Sequence, residues 1–347
     1  MKRLTFLDAL ETVSPALSSK DTIPILTHLW FTGKQVMAFN DGIAISTKLD
    51  TNWQGAVPAV LIQLLRASGA IDVSSNMTKN GELHMVAAAA RIKLPTLPPE
   101  DFVFDMPAMK KDEVPSISGN NIAPFLDALS FAIQCVASDA TVPEQLGVNL
   151  LPGASMWATN EKSLFYTKIK TDRAIKRMIL SEEFCKQMLS LRNKSETLAL
   201  YLREDAAIFK AGDTILFGKL IHSERPLDFE GVLNQHFPDL GKKPKLSDVP
   251  AKMKPIIDRA CIIIGNGGDT NAMVKDGQIH FRSYDQRTDR AVSDVMKIGS
   301  EQKDLIVKFN PNFAKIALDA GLDKIRLTQS CVVFTKNDLV FLVTAKV

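Results

Sequence analysis

The sequence predicts an α+β fold built from three similar parts, each with two helices packed on antiparallel strands. Three observations predict it. Amphipathic helical stretches occur in pairs, about 50 to 60 residues apart. Short runs of alternating apolar residues follow each helix, and two stretches rich in proline and charge cut the chain into three lengths of comparable size. A repeat on this scale sets the architecture before any chemistry is considered.

In the first part, residues 4–17 (LTFLDALETVSPAL) carry helical periodicity and lead into the strand-like ILTHLWFTG and MAFNDGIAISTKL. A second helix over 58–67 (PAVLIQLLRA) precedes IDVSSN, ELHMVAAA and RIKLPTL. In the second part, helices begin near Asn121 (NIAPFLDALSFAIQ) and Ser181 (SEEFCKQMLSLRN), and TLALYL, AAIFKAG and TILFGKLI follow the latter. In the third, helices start near Val249 (VPAKMKPIIDRACII) and Asn310 (NPNFAKIALDAG), and the tail runs DKIRLTQ, CVVFTKN and LVFLVTAKV. Pro58, Ser181 and Asn310, the last with Pro311 behind it, suit helix starts. Gly69 and Gly321 suit left-handed caps. Asn80-Gly81 and Asp276-Gly277 read as primed hairpin turns, in which both central residues need positive φ. Residues 107–118 (PAMKKDEVPSIS) and 238–252 (PDLGKKPKLSDVPAK) read as linkers, so domains are expected at 1–113, 114–245 and 246–347.

Composition narrows the class. The chain is 46% hydrophobic and 23% charged, and it has no apolar run near the roughly 20 residues that a membrane span needs, so a globular protein is expected. Asp8 and Glu11 interrupt the apolar start, which argues against a signal peptide and for the cytoplasm. The scattered Cys135, Cys185, Cys261 and Cys331 read as reduced, buried thiols. A net charge of +3 does not by itself argue for a nucleic-acid binder. The five histidines form no HxxxH or HExxH pair, and CxxC, P-loop and GxSxG motifs are missing, so no metal, cofactor or catalytic residue is expected. One rival is a nucleotide-using enzyme built on the glycines of residues 265–268. There CIII followed by GNGGD imitates a strand entering a phosphate loop. The chain continues NAMVKDGQIHF, which alternates like a strand, and CIII also reads as the end of a helix.

Several segments, taken in order, resemble the β sliding clamp of bacterial replicative DNA polymerase III. KDTIPILTHLWF (20–31) is similar to the family's TxPIL segment, and ARIKLPTLPPEDFVF (90–104) to its S/T-L-P-x-x-D-F pattern. WATNEKSLFYTKI (157–169) resembles its A-T-D-G-H-R-L-A, and FGKLIHSERPLDFEGVL (217–233) its S-K-L-x-x-x-x-F/Y-P-D-Y-x-x-V-L. The resemblance implies three clamp domains per chain, closed head to tail as a homodimeric ring around duplex DNA. The implied function is that of a non-enzymatic processivity factor, a replication protein at the nucleoid. Its sequence-independent hold on DNA would need only weak phosphate contacts, because tight ones would stop sliding. The departures from the family pattern point to a divergent or mobile-element-encoded member, or to a clamp-like paralogue with restricted clients.

The resemblance also implies site residues. Basic helix residues Lys20, Arg66, Lys186, Arg192, Lys252 and Arg259 are candidates for DNA contact, each equally readable as a solvated helix face. Glu182 and Glu183 stand where the family has a basic pair. Polymerases and clamp loaders carry short peptides of the Q-L-x-L-F type. The matching pocket here comprises Leu146, Thr159, Leu164, Val232, Leu233, Phe341, Leu342 and Val343. Within it the family's D-G-H-R has become Asn160, Glu161, Lys162 and Ser163, and its C-terminal M-P-M-R-L has become Val343, Thr344, Ala345, Lys346 and Val347. Phe102, Phe104, Ile262 and Ile263 stand where subunits of the family meet, and each, the isoleucines above all, is also readable as ordinary core.

Overall fold

The computed structural model describes residues 1–19, 23–98, 101–102, 104–110, 112–224, 226–236, 246–265, 268–298 and 304–345. Among them all six predicted helices form and a seventh joins them: α1 Arg3–Val13, α2 Val60–Ala67, α3 Ile122–Ala132, α4 Glu182–Ser190, α5 Phe229–His236, α6 Met253–Ile264 and α7 Pro311–Asp319. Helix α1 ends earlier than its periodicity suggests, and Ser14–Ala16 tightens into a 3-10 turn. Pro15 offers no N–H to the Glu11 carbonyl, which accepts the Ser14 hydroxyl instead at 3.0 Å. Helix α7 follows its sequence signals closely. The Asn310 side chain accepts the Asn312 N–H at 2.9 Å, Pro311 opens the helix, and Gly321 is left-handed at φ 72.

The chain divides into two compact units. The first comprises Met1–Ala123, Thr171–Arg173 and Glu183–Leu220, and the second Pro124–Lys170, Ala174–Glu182 and Ile221–Val347. The first unit holds an antiparallel sheet in the order Gly55–Pro58, His28–Phe31, Gln35–Phe39, Ile43–Lys48, Thr214–Ile221, Ala206–Ala211, Leu198–Leu202, Ile117–Ser118. Val73–Met77, Glu82–Ala87 and Ala90–Pro95 form a separate three-stranded sheet. Helix α1 covers Gln35–Phe39 and Ile43–Lys48 and packs on α2. It buries Phe6, Leu10 and Val13, with the Phe6 ring stacked 6.0 Å from Phe31.

The second unit repeats the plan. Its sheet runs Met178–Ser181, Gly147–Leu151, Ser155–Thr159, Ser163–Lys168, Leu339–Thr344, Cys331–Lys336, Lys324–Leu327, Ser247–Asp248. A four-stranded sheet runs Arg290–Lys297, Gln278–Asp285, Thr270–Lys275, Leu305–Phe309, with α6 packed on its first two strands and on α7. The expected middle domain, 114–245, is thus shared between the two units.

Turns and linkers differ in detail from expectation. Asp276 (φ 51) and Gly277 (φ 72) make the primed turn. At the other predicted turn only Gly81 is left-handed, at φ 74. Residues 78–81 form a longer loop, closed by Thr78 N–H to Glu82 O at 2.9 Å, which spares Asn80 the strained conformation. Apart from Lys111, which lies outside the described residues, the segment 107–118 lacks regular structure until Ile117–Ser118 but is tied down at several points. Arg203 donates to both Glu113 oxygens at 2.9 and 2.6 Å and to the Ala108 carbonyl at 3.0 Å. Arg173 donates to the Ser116 hydroxyl at 2.9 Å, and Asp172 accepts from Ser118 and Asn121, each at 2.7 Å. Of the other expected linker, residues 238–245 lie outside the described residues, and Ser247–Asp248 pairs with Lys324–Leu327.

Two outcomes follow from this packing. A Cβ on Gly218 would lie 2.3 Å from the ring of buried Phe184, so Gly218→Ala should cost about 1–3 kcal/mol by overpacking, read as a lower urea midpoint. The hydrogen bond from Arg203 holds the Glu113 carboxyl below its ordinary value of 4.5. A carboxyl depressed in the folded state stabilises fully above its unfolded pKa and loses that contribution as pH falls through the folded one. Glu113→Gln should therefore cost about 1–2 kcal/mol at pH 7, and the gap between variant and wild type should close in urea titrations at progressively lower pH below 4.5.

Candidate functional site

The sheet of the second unit carries an apolar cluster on one face, and strand register explains its membership. Thr159 lies opposite Leu164, Leu164 opposite Leu342, and Leu342 opposite Val333. In the next row on the same face Asn149, Trp157, Tyr166 and Val340 succeed one another across four strands. Onto this surface α5 lays Phe229 and Leu233, and Trp157, Leu164, Phe229, Leu233, Val340 and Leu342 are all buried together. The Trp157 ring sits 4.4 Å from Tyr166 and 5.3 Å from Phe229. Burial raises the Tyr166 hydroxyl above its ordinary value.

The segment entering α5 is fastened at Leu227. Its N–H donates to Glu144 Oε1 at 3.1 Å, and its carbonyl accepts from Arg177 Nη2 at 2.7 Å. Asp228 then caps the helix, accepting the Gly231 N–H at 2.9 Å. Glu144 is fully buried, and among the described residues its Oε2 has no hydrogen-bond partner, nor has Oδ1 of buried Asn149. The Asn149 amide donates to the Glu144 carbonyl at 2.7 Å. Two bare acceptors therefore lie beside the apolar cluster.

The expected pocket residues divide between the two faces. Leu164, Leu233 and Leu342 are in the cluster and Val232 is half-buried against it. Thr159 shares their face, but its hydroxyl already donates to the Ser163 carbonyl at 2.9 Å. Leu146 is half-buried at the end of the turn Pro143–Leu146. Phe341 and Val343 alternate to the opposite face, where Phe341 meets Phe131 edge-on at 5.2 Å. Helix α5, Trp157, Phe229 and Glu144 are absent from the expected set. Asp228 followed by apolar residues at 229, 232 and 233 was the available helix signal. Next to the cluster, the Asn160 side chain accepts the N–H groups of Lys162 and Ser163 at 3.2 and 2.9 Å, and Glu161 is left-handed at φ 70. This is the place where the resembled pattern has glycine, the residue best suited to that conformation.

Several cations on or beside the helices are matched by carboxylates. Arg66 pairs with Glu11 at 2.7 Å and Lys194 with Asp8 at 2.5 Å. Arg259 forks onto Asp294 at 2.6 and 3.2 Å, Lys254 meets Asp319 at 2.7 Å, and Lys315 bridges Asp258 and Asp319. Lys186 is exposed on α4, Arg192 is half-buried just beyond it, and Lys252 is exposed ahead of α6. Lys20 lies outside the described residues. Glu183 accepts from the Asn40 amide at 2.6 Å.

Phe102 and Phe104 pack inside the first unit. Phe102 stacks on Trp30 at 5.2 Å, and Phe104 on Phe39 at 4.3 Å with Phe217 at 5.3 Å. Ile262, by contrast, is 78% exposed on α6, and Ile263 is half-buried. Ala90–Pro95 and Arg290–Lys297 are edge strands of their sheets among the described residues. The apolar run before the glycines of 265–268 is the end of α6, as its periodicity suggests. Asn266 and Gly267 lie outside the described residues, and the chain resumes as the strand Thr270–Lys275. Gly265 thus follows a helix C-terminus, where carbonyls and the negative end of the dipole repel an anion. Burial pushes the Cys135 thiol up to about 12 and the Cys261 thiol to about 11, so both stay protonated at neutral pH.

No protein-family model matches the chain, and no curated protein matches it in sequence. Solved structures match it nearly from end to end. A putative DNA polymerase III β subunit from Eubacterium rectale superposes with a TM-score of 0.84 at 15% identity, covering 99% of this chain and 98% of that one. The DNA polymerase sliding clamp of Caulobacter crescentus does so with a TM-score of 0.82 at 19% identity, covering 100% and 98%. The sliding clamp of Bartonella birtlesii, solved bound to griselimycin, gives a TM-score of 0.84 at 16% identity, again covering 100% and 98%. The fold of this chain, along its whole length, is therefore that of the DNA polymerase III β subunit sliding clamps.

Proposed function

We propose that the chain is a DNA sliding clamp, a non-enzymatic processivity factor that encircles duplex DNA as a head-to-tail homodimer of three-domain chains and tethers a polymerase. The observation that carries this reading is the likeness to sliding clamps across the full length of both chains, with TM-scores of 0.81 to 0.84. A fold hosts function through its sites, so local features must agree with it. They do so in two ways.

Ring closure needs unpaired strand edges at the two ends of the chain. Ala90–Pro95 and Arg290–Lys297 are such edges, and α6 presents exposed Ile262 beside the latter. Phe102 and Phe104 are half-buried against their own unit, and the proposed seam joins them with Ile262, Ile263 and the edge strands. Sliding needs weak phosphate contacts, and the carboxylates Glu11, Asp8, Asp294 and Asp319 temper the charge of Arg66, Lys194, Arg259 and Lys254. The DNA-facing candidates remain Lys20, Arg66, Lys186, Arg192, Lys252 and Arg259. Clients would be the polymerase and clamp loader, docking through short apolar peptides. A second reading, a clamp-like paralogue with restricted clients, is favoured by the burial of Leu164, Leu233 and Leu342 beneath Phe229.

Retention on circular DNA tests the central claim. The loaded protein should stay on a closed circle through gel filtration and leave when one cut linearises it, because only a topological link predicts that difference; equal loss from both forms overturns the reading. Ile262→Asp, at a position 78% exposed, should leave the circular dichroism spectrum unchanged and shift light scattering from dimer to monomer.

A further inference from the structure

Three residues of the proposed client pocket, Leu164, Leu233 and Leu342, are already covered in the structure. Phe229 lies on Trp157 at 5.3 Å and is buried with Leu164, Leu233 and Leu342, so no apolar anchor enters without moving it. The segment is held down by two hydrogen bonds to one peptide group, Leu227 N–H to Glu144 and Leu227 carbonyl from Arg177. Lifting it would break the first of these, the backbone N–H that Glu144 Oε1 accepts, while Oε2 has no donor among the described residues. Asn149 Oδ1, on the face it shares with Trp157, is a second buried acceptor without a donor among the described residues. A carboxylate stripped of donors in a low-dielectric setting is costly, and a guanidinium compensates it better than a neutral amide does.

Building on the client-peptide reading above, we infer that Phe229 is an internal occupant of the pocket and determines which clients enter. The client must displace residues 227–229 and must bring a cationic side chain next to its apolar anchor to answer Glu144. Phe229 supplies the competition and Glu144 the preference. A peptide led by arginine in place of the glutamine of Q-L-x-L-F meets both demands.

Calorimetric titration of the two peptides into wild type, Phe229→Ala and Glu144→Gln tests this. Wild type should bind the arginine-led peptide at least tenfold more tightly than the glutamine-led one. Phe229→Ala should tighten both at least tenfold, and Glu144→Gln should abolish the preference. Equal affinities of wild type and Phe229→Ala overturn the internal occupant, and a wild type indifferent to the leading residue overturns the role of Glu144. Should Phe229→Ala fail to fold, hydrogen exchange on the wild type decides. The Leu227 amide should be protected in the free chain and exchange faster with peptide bound, whereas unchanged protection in the complex overturns the inference. Retention on circular DNA does not depend on Phe229, so a clamp that holds circles yet shows none of these effects refutes this inference alone.

Discussion

The pairing of Ser163–Lys168 with Leu339–Thr344 is the constraint on which the candidate site depends. Side chains alternate with a period of two along a strand, so this register decides which residues meet α5 and which turn to the other face. Leu164 and Leu342 come together on one side, while Phe165 and Phe341 meet Phe131 on the other. A slip of one residue would exchange the two sets and dismantle both layers. Little else needs to be specified for the apolar cluster to form, because Trp157, Tyr166 and Val340 fall into line by the same register.

Local signals in the sequence were reliable where the physics is local. The Asn310 cap with Pro311 and Gly321, and the primed turn at Asp276 and Gly277, are settled within a few residues and appear as expected. Helix α5 was legible too, from Asp228 and the spacing of Phe229, Val232 and Leu233, but lies in a segment that invites reading as a loop. Three consecutive residues, Phe341, Leu342 and Val343, could not all line one pocket in a strand, and alternation alone excludes it. The ties of Arg203 to Glu113 and of Lys194 to Asp8 join residues far apart in sequence, and no local pattern announces them.

Several helix charges are paired at close range. Exposed pairs such as Arg66 with Glu11 contribute little to stability, about 0–1 kcal/mol each. Their larger effect is on the field around the helices, which falls off quickly when each cation has a carboxylate within contact distance. Composition alone does not reveal this, since a net charge of +3 is compatible with a basic helix face or with matched pairs. Side-chain geometry separates the two.

The sharing of residues 114–245 between the two units governs the order in which the chain can fold during synthesis. Ile43–Lys48 pairs early with Gln35–Phe39 but finds its second partner only when Thr214–Ile221 has been made, so the first unit leaves the ribosome with an open strand edge for the length of the intervening chain. By then Gly147–Leu151 and Ser155–Thr159 of the second unit are already out and can pair with each other. The nascent protein therefore carries two unfinished sheets at once, the condition under which edges pair wrongly. Growth on the ribosome, more than the finished fold, is where this architecture is vulnerable.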